Sequence, residues 1–320
     1  MEQFLSLLDS TIRVATPLIL AALAGLFSER SGVIDISLEG KMLMAAFAAA
    51  VVAYIAHNPW IGLVGGIAAS VALSMLHAFV SVTYNGNQLI SGMAINTIAL
   101  GVTPVLALAW FQQGGNSPPL PDDARFHEIQ LPFVDNSAVL PIIGDIYKHL
   151  ISGHIILVYL TMLVIPIVTW FVYHSRFGLR LRAVGENPHA ADAAGVSVAR
   201  VRYLALFWNG VLCGMAGTFL SVYQTGAFIK EMTAGKGFLA LAALIFGKWR
   251  PIPAVLGCLL FAFADAIQIR LEGVAIPGIG IIPSQFIQVT PYVLTVLLLA
   301  GFVGRAVAPK SIGIPFVKSR

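Results

Sequence analysis

The sequence predicts an all-α, polytopic transmembrane helix bundle of about nine spans containing inverted repeats. Three observations predict it. Of the 320 residues, 58% are apolar and only 11% are charged, whereas soluble domains carry about a quarter charged residues. Apolar runs close to the ~20 residues that cross a hydrocarbon core as a helix recur along the chain. Two such runs, one in each half, share a pattern but begin from opposite sides of the expected membrane. At this length the chain holds one compact transmembrane domain over residues 1–320, with little left for a soluble catalytic domain.

Apolar runs read against charge place helices at 12–28, 41–57, 60–82, 88–110, 151–172, 203–223, 236–247, 252–269 and 287–304. The first does not read as a cleaved leader, because Glu2 stands where a basic region is expected and no clear cleavage site follows. The 236–247 run is too short to cross alone. Residues 224–235, QTGAFIKEMTAG, are expected to supply the rest as a broken or re-entrant segment, tolerable only where protein or water covers its open backbone.

Loop charge sets direction, since Lys and Arg are retained on the cytoplasmic side. The 173–202 segment carries Arg176, Arg180, Arg182, Arg200 and Arg202 against Glu186 and Asp192, so it is expected inside. Counting onward puts Lys248, Arg250 and the tail with Arg305, Lys310, Lys318 and Arg320 inside, and Lys230, Glu231, Arg270 and Glu272 outside. Counting backward puts the 111–150 loop outside, in keeping with Asp122, Asp123, Glu128, Asp135 and Asp145 against Arg125 and Lys148. That loop is rich in proline and should form a shaped cap. Glu29, Arg30 and Lys41 fall inside and the N-terminus outside. The layout has one condition: without a crossing at 236–247, everything after it flips. The net charge of +4 reflects orientation and does not point to nucleic acid.

The internal echo joins GKMLMAAFAAAVVAYIAHNPWIGLVGGIAASVALSMLHAF, from Gly40, with GKGFLALAALIFGKWRPIPAVLGCLLFAFADAI, from Gly235. Both open Gly-Lys, run apolar, break at a turn with proline beside tryptophan, and run apolar again. The repeat-like halves span about 28–110 and 224–304. Oppositely oriented halves are a transporter architecture.

Polar residues at membrane depth are functional candidates by default. Gln88, Asn96, Asp265 and Gln268 are the candidates for a translocation path. For Asp265 a structural hydrogen-bonded role ranks above lining the path, and direct substrate contact comes last; for Gln88 and Asn96 interhelical hydrogen bonding is an equal alternative. His77 reads as a packing group. Glu39 is favoured by the dipole of the helix it begins; it and Asp35 could instead pair with Arg30 or Lys41, and capping is the simpler choice. Gly62/Gly66 and Gly210/Gly214 read as points of close helix approach, and Trp60, Trp170, Trp208 and Trp249 as interface anchors. Cys213 and Cys258 read as small buried hydrophobes, and the histidines lack metal-ligand spacing such as His-Glu-x-x-His.

The basic stretch GLRLRAVGENPHAADAAG, Gly178–Gly195, has its own punctuation. Asn187 is an N-cap, Pro188 fits the first helical position, PHAADAA makes two turns and Gly195 stops them. So short a helix needs a partner to lie against.

RFGLRLRAVGENPHAADAAGVSVARVR resembles the cytoplasmic coupling segment of ABC-importer permeases in the branched-chain amino acid, ribose and nucleoside group. SERSGVIDISLEGKMLMAAFAA is similar to the N-terminal motif of the nucleoside or simple-sugar branch, and NGNQLISGMAINTIAL and GKGFLALAALIFGKWRPIPAVLG also match family patterns. Relatives commonly have Asn-Ile-Gly where this chain has Asp35-Ile36-Ser37, which weakens any transfer of substrate identity from that stretch. The resemblance implies that segment 176–202 docks on a cytoplasmic ABC ATPase, with Arg180, Arg182, Asn187, Pro188, His189, Asp192 and Gly195 carried onto that role. It implies two further partners, an extracytoplasmic solute-binding protein and a second permease subunit of different sequence, in a bacterial cytoplasmic membrane. The implied cargo is a nucleoside, purine nucleosides favoured, whose donors and acceptors amides can match; a simple sugar or branched-chain amino acid is the alternative, ahead of an ATP-independent carrier. No cofactor is expected on this chain, because ATP and magnesium belong to the partner ATPase. Gly40–Lys41 and Gly235–Lys236 lack the earlier glycine and the following hydroxyl of a phosphate-cradling loop, so the chain is expected to be a transporter subunit rather than an enzyme.

Overall fold

The computed structural model describes residues 2–130, 147, 152–271, 275–276, 280–281, 289, 293 and 307–318. The helices run in the order α1 (Glu2–Arg30), α2 (Leu38–Ala56), α3 (Pro59–Ala78), α4 (Gln88–Phe111), α5 (Ile156–His174), α6 (Arg176–Glu186), α7 (Pro188–Ala193), α8 (Val198–Thr218), α9 (Lys236–Phe246) and α10 (Pro251–Leu271). Wide π turns over Phe79–Thr83 and Phe219–Thr225 extend α3 and α8. Among the described residues, seven helices are long and apolar enough to cross a membrane, and α9 is a shorter apolar helix. The expected span at 287–304 lies almost wholly outside the described residues.

Composition by face shows the environment. α1, α2 and α8 are largely buried, whereas α3, α4 and α5 point Val64, Ile90, Met93, Val105, Trp110, Leu163 and Trp170 outward. An apolar belt of this extent is not stable against water, and against lipid it is the matching surface. Inside, α8 packs on α3 with little side chain between them: a Cβ on Gly210 would fall 2.7 Å from Val71 Cα, and one on Gly214 2.5 Å from Ile67 Cα. The close approach expected there is present.

Two sets of contacts gather at opposite ends. At the end bearing the basic hinge, Arg30 Nε donates to Trp249 O at 2.8 Å, Ser311 N to Gly185 O at 2.9 Å and Gly313 N to Gly32 O at 3.0 Å. At the other end, Arg13 pairs with Glu128 at 2.5 Å, and Ser117 N donates to Phe228 O at 2.9 Å. A two-stranded antiparallel ladder of β1 (Glu128–Ile129) and β2 (His154–Ile155) ties the loop to the start of α5.

The 236–247 run is therefore half of a crossing. Phe228 lies at the loop end, residues 226–235 continue as turns with Glu231, Ala234 and Gly235 in the left-handed region, and α9 then reaches Trp249 beside Arg30. The condition set by the charge count is met by the combined segment, with no flip of the later helices relative to the hinge. Lys41 departs from expectation: it is fully buried inside the bundle rather than at an end. Arg202 departs too, lying buried in the first turns of α8 instead of in a basic loop.

Gly214→Val should destabilise the bundle by at least ~1–3 kcal/mol through overpacking, read as a lower thermal midpoint in detergent. Gly101→Ala, where an added Cβ meets nothing within 4 Å, should leave the midpoint unchanged.

Candidate functional site

The hinge is built from local rules. Gly178 N donates to the side chain of Ser175 at 2.9 Å, which caps α6. Gly178, Leu181, Val184 and Gly185 turn its apolar stripe inward while Arg180 faces out. Arg182 lies over the Tyr173 ring, 5.4 Å from its centroid. At α7, Ala190 N donates to Asn187 Oδ1 at 3.0 Å, Pro188 is the first helical residue, and Val196 N closes on Ala191 O at 3.0 Å. Gly195 has φ +82° with open space around it. Pro188 and Ala191 face inward; His189, Ala190, Ala193, Ala194 and Gly195 face out.

Sequence reasoning missed two supports of this surface. One is α6, read as loop because of its arginines. The other is the tail: the His189 ring lies 5.1 Å from Phe316, Asp192 is 3.9 Å from Lys318 Nζ, and the Ser311 hydroxyl donates to Gly185 O at 2.7 Å. These contacts are what the two-turn helix lies against.

A second constellation occupies the interior, around the non-helical residues 31–37. Ile34 N donates to Gln88 Oε1 at 2.7 Å, and His77 Nε2 donates to Ile34 O at 3.0 Å. Asn96 Nδ2 donates to Ile36 O at 3.0 Å and its Oδ1 accepts from Gly40 N at 2.8 Å. Lys41 Nζ uses all three protons, donating to Asp35 at 2.6 Å, Asn209 Oδ1 at 2.9 Å and Ser74 Oγ at 3.2 Å. Asn209 Nδ2 in turn donates to Ala24 O at 3.0 Å, so the network joins α1, α2, α3 and α8.

Of the two pairings open for Asp35, the structure forms the one with Lys41. Glu39 caps a helix other than its own: Gly235 N and Gly237 N donate to its two carboxylate oxygens at 2.8 and 2.6 Å. The starts of α2 and α9 thus meet head to head, and one carboxylate serves the positive ends of both. Trp249 is no interface anchor, being 6% exposed with its indole donating to Glu29.

The four path candidates separate into two groups. Gln88 and Asn96 are 3% and 8% exposed and spend their amides on the 34–40 backbone, although Gln88 Nε2 has no partner among the described residues. Asp265 and Gln268 lie half-buried on α10. At the loop end, partial burial pushes the Glu128 carboxyl up, but the hydrogen bond and charge of Arg13 hold it below its ordinary value.

The family described as the branched-chain amino acid transport system, permease component, matches residues 7–300. The chain belongs to this permease family. The permease is similar to the guanosine ABC transporter permease protein NupQ of Bacillus subtilis, at 36% identity over 99% of this chain and 98% of NupQ. It is likewise 36% identical to the nucleoside ABC transporter permease protein NupC of Lactococcus lactis, over 96% of this chain and 95% of NupC. The glucose ABC transporter permease protein TsgB13 of Haloferax volcanii is 26% identical over 78% of this chain and 65% of its own length.

Lys41→Met should destabilise the permease by about 3–5 kcal/mol, since it leaves Asp35 buried without its counter-ion. The double variant Asp35→Asn/Lys41→Met should recover much of that loss. Thermal unfolding of the four proteins in detergent closes the cycle, and a double variant as unstable as the sum of the singles would show the pair to be uncoupled.

Proposed function

We propose that this permease is a membrane subunit of a bacterial ABC importer that moves nucleosides, purine nucleosides first, across the cytoplasmic membrane. The observation carrying this reading is identity of 36% to a guanosine and a nucleoside permease over nearly the whole of both chains. A glucose permease among the relatives favours a simple sugar as the second reading.

In this reading the hinge end is cytoplasmic, with the N-terminus outside and the C-terminus inside. A partner ATPase holds ATP and magnesium and grips the outward face of α7 with Arg180, Arg182, Asn187, His189, Asp192 and Gly195 around it. A solute-binding protein delivers cargo at the loop end, and a second permease chain completes the pore. Halves at about 28–110 and 224–304 act as inverted repeats, a reading that the facing starts of α2 and α9 favour. The path runs beside that junction, with Asp265 and Gln268 lining it and Gln88 and Asn96 fixing its wall. ATPase closure displaces α7, and α6 and α8 carry the displacement to the interior, so that the path opens alternately at each end.

In a strain lacking this chain, uptake of labelled guanosine should be lost while the chain's reintroduction restores it; retained nucleoside uptake with lost glucose or ribose uptake would reverse the order of the two readings. Gly195→Val strains one exposed left-handed position by roughly 1–2 kcal/mol, so membrane insertion should persist. Uptake should nevertheless fall by about tenfold or more, the factor that ~1.4 kcal/mol of lost coupling produces. Insertion lost together with uptake would make the segment a folding element instead.

A further inference from the structure

At the hinge end, a cleft of about 310 Å³ opens between the start of α8, the π turn after α3, and the tail. Thr83, Asp192, Ser197, Val198, Arg202 and Lys318 are among its lining residues. Two features of this cleft are positive and incompletely matched, and a third is a cation that already faces an acid.

The first is Arg202. It is 1% exposed, and among the described residues its guanidinium donates only to two main-chain carbonyls, Ser31 O at 3.2 Å and Ile314 O at 3.4 Å. Among the described residues no carboxylate lies within ion-pair distance of it. A buried cation held by neutral acceptors alone bears a desolvation cost that an anion would offset. The second is the start of α8. Ser197 occupies the N-cap position, yet its side chain makes no capping bond, and among the described residues the amides of Val198, Ala199 and Arg200 have no acceptor. Uncapped first-turn amides on a 21-residue helix present donors and the positive end of the dipole to whatever enters. The third is Lys318, whose side chain is 76% exposed and stands 3.9 Å from Asp192. Lys318 and Asp192 offset one another, so Arg202 leaves the cleft with a net positive charge.

We propose that this cleft binds a phosphate group, either inorganic phosphate and its monoesters or the phosphodiester of an anionic lipid headgroup. Guanidinium, ammonium and free helix amides are the donor set that phosphate oxygens satisfy together. The volume leaves space for part of the group to which the phosphate is attached. Because the tail, the first turn of α8 and Asp192 of α7 all line the cleft, a phosphate there would touch segments that meet at the hinge. The site is independent of the nature of the cargo.

The test uses the full-length chain in nanodiscs of phosphatidylcholine, titrated with inorganic phosphate at constant ionic strength and followed by thermal unfolding. A bound ligand raises the midpoint in proportion to the logarithm of its saturation. Phosphate should give a saturable rise that is lost in Arg202→Gln and weakened several-fold in Lys318→Gln, which also frees Asp192 to repel the anion. Arg250→Gln, exposed at the same end but outside the cleft, should respond like the parent. If the source is lipid, adding phosphatidylglycerol to the disc raises the midpoint by itself, free phosphate then adds nothing, and Arg202→Gln removes the lipid effect. If Arg202→Gln does not fold, Lys318→Gln decides the matter. No response to either phosphate source, or a response unchanged in the Arg202 or Lys318 variant, overturns the proposal.

Discussion

A backbone that leaves helical geometry within a bilayer must find all its partners inside the protein, because lipid offers neither donors nor acceptors. Two segments of this permease leave helical geometry, residues 31–37 and residues 226–235, and several buried polar side chains are spent on them. The side chains of Gln88, His77 and Asn96 take up the main chain between Ile34 and Gly40. Glu39 takes up the amides of Gly235 and Gly237. Polar residues that look isolated in a hydropathy reading are thus the surroundings that make irregular chain tolerable. Breaking two crossings at a shared level also places two helix starts against each other, and a single acidic side chain keeps their positive ends from repelling.

The parts of this arrangement that follow from local pattern could be read from the sequence. Among the described residues apolar runs located the long helices, and cap chemistry at Asn187, Pro188 and Gly195 located the start of α7 to the residue and its end to within one. The broken span was legible as well, because eleven helical residues in α9 cannot cross a hydrocarbon core alone. Interactions between distant segments were not legible. Nothing near Lys41 shows that it turns inward, since its partners Ser74 and Asn209 come from two other helices. Glu39 looked like a cap for its own helix because the dipole argument is local, whereas the carboxylate also serves a helix start 196 residues later in the chain. Arg202 was counted with the loop charges because residue type, and not depth, entered that count. The departure at Asp35 gained its meaning only when Lys41 was found against it, so the change is better read as part of a buried pair than as a mark of cargo.

The hinge shows how a short helix with weak intrinsic stability is held in place. Its inward face is Pro188 and Ala191, its start and stop are fixed by side-chain and left-handed caps, and a helix of six residues needs all of these in place. The surface left outward is small and weakly featured, being made of His189, Ala190, Ala193, Ala194 and Gly195. The buried pair and the glycine-lined contact of α3 with α8 supply the stiffness behind it.

The tail gives this surface a dependence on the order of biosynthesis. Ser311, Phe316 and Lys318 reach back to Gly185, His189 and Asp192, although more than a hundred residues of chain lie between, including the later membrane helices. A nascent polypeptide therefore carries an unfinished hinge until residues 311–318 leave the ribosome. Bracing of this surface is thus linked to synthesis and placement of a segment more than a hundred residues downstream.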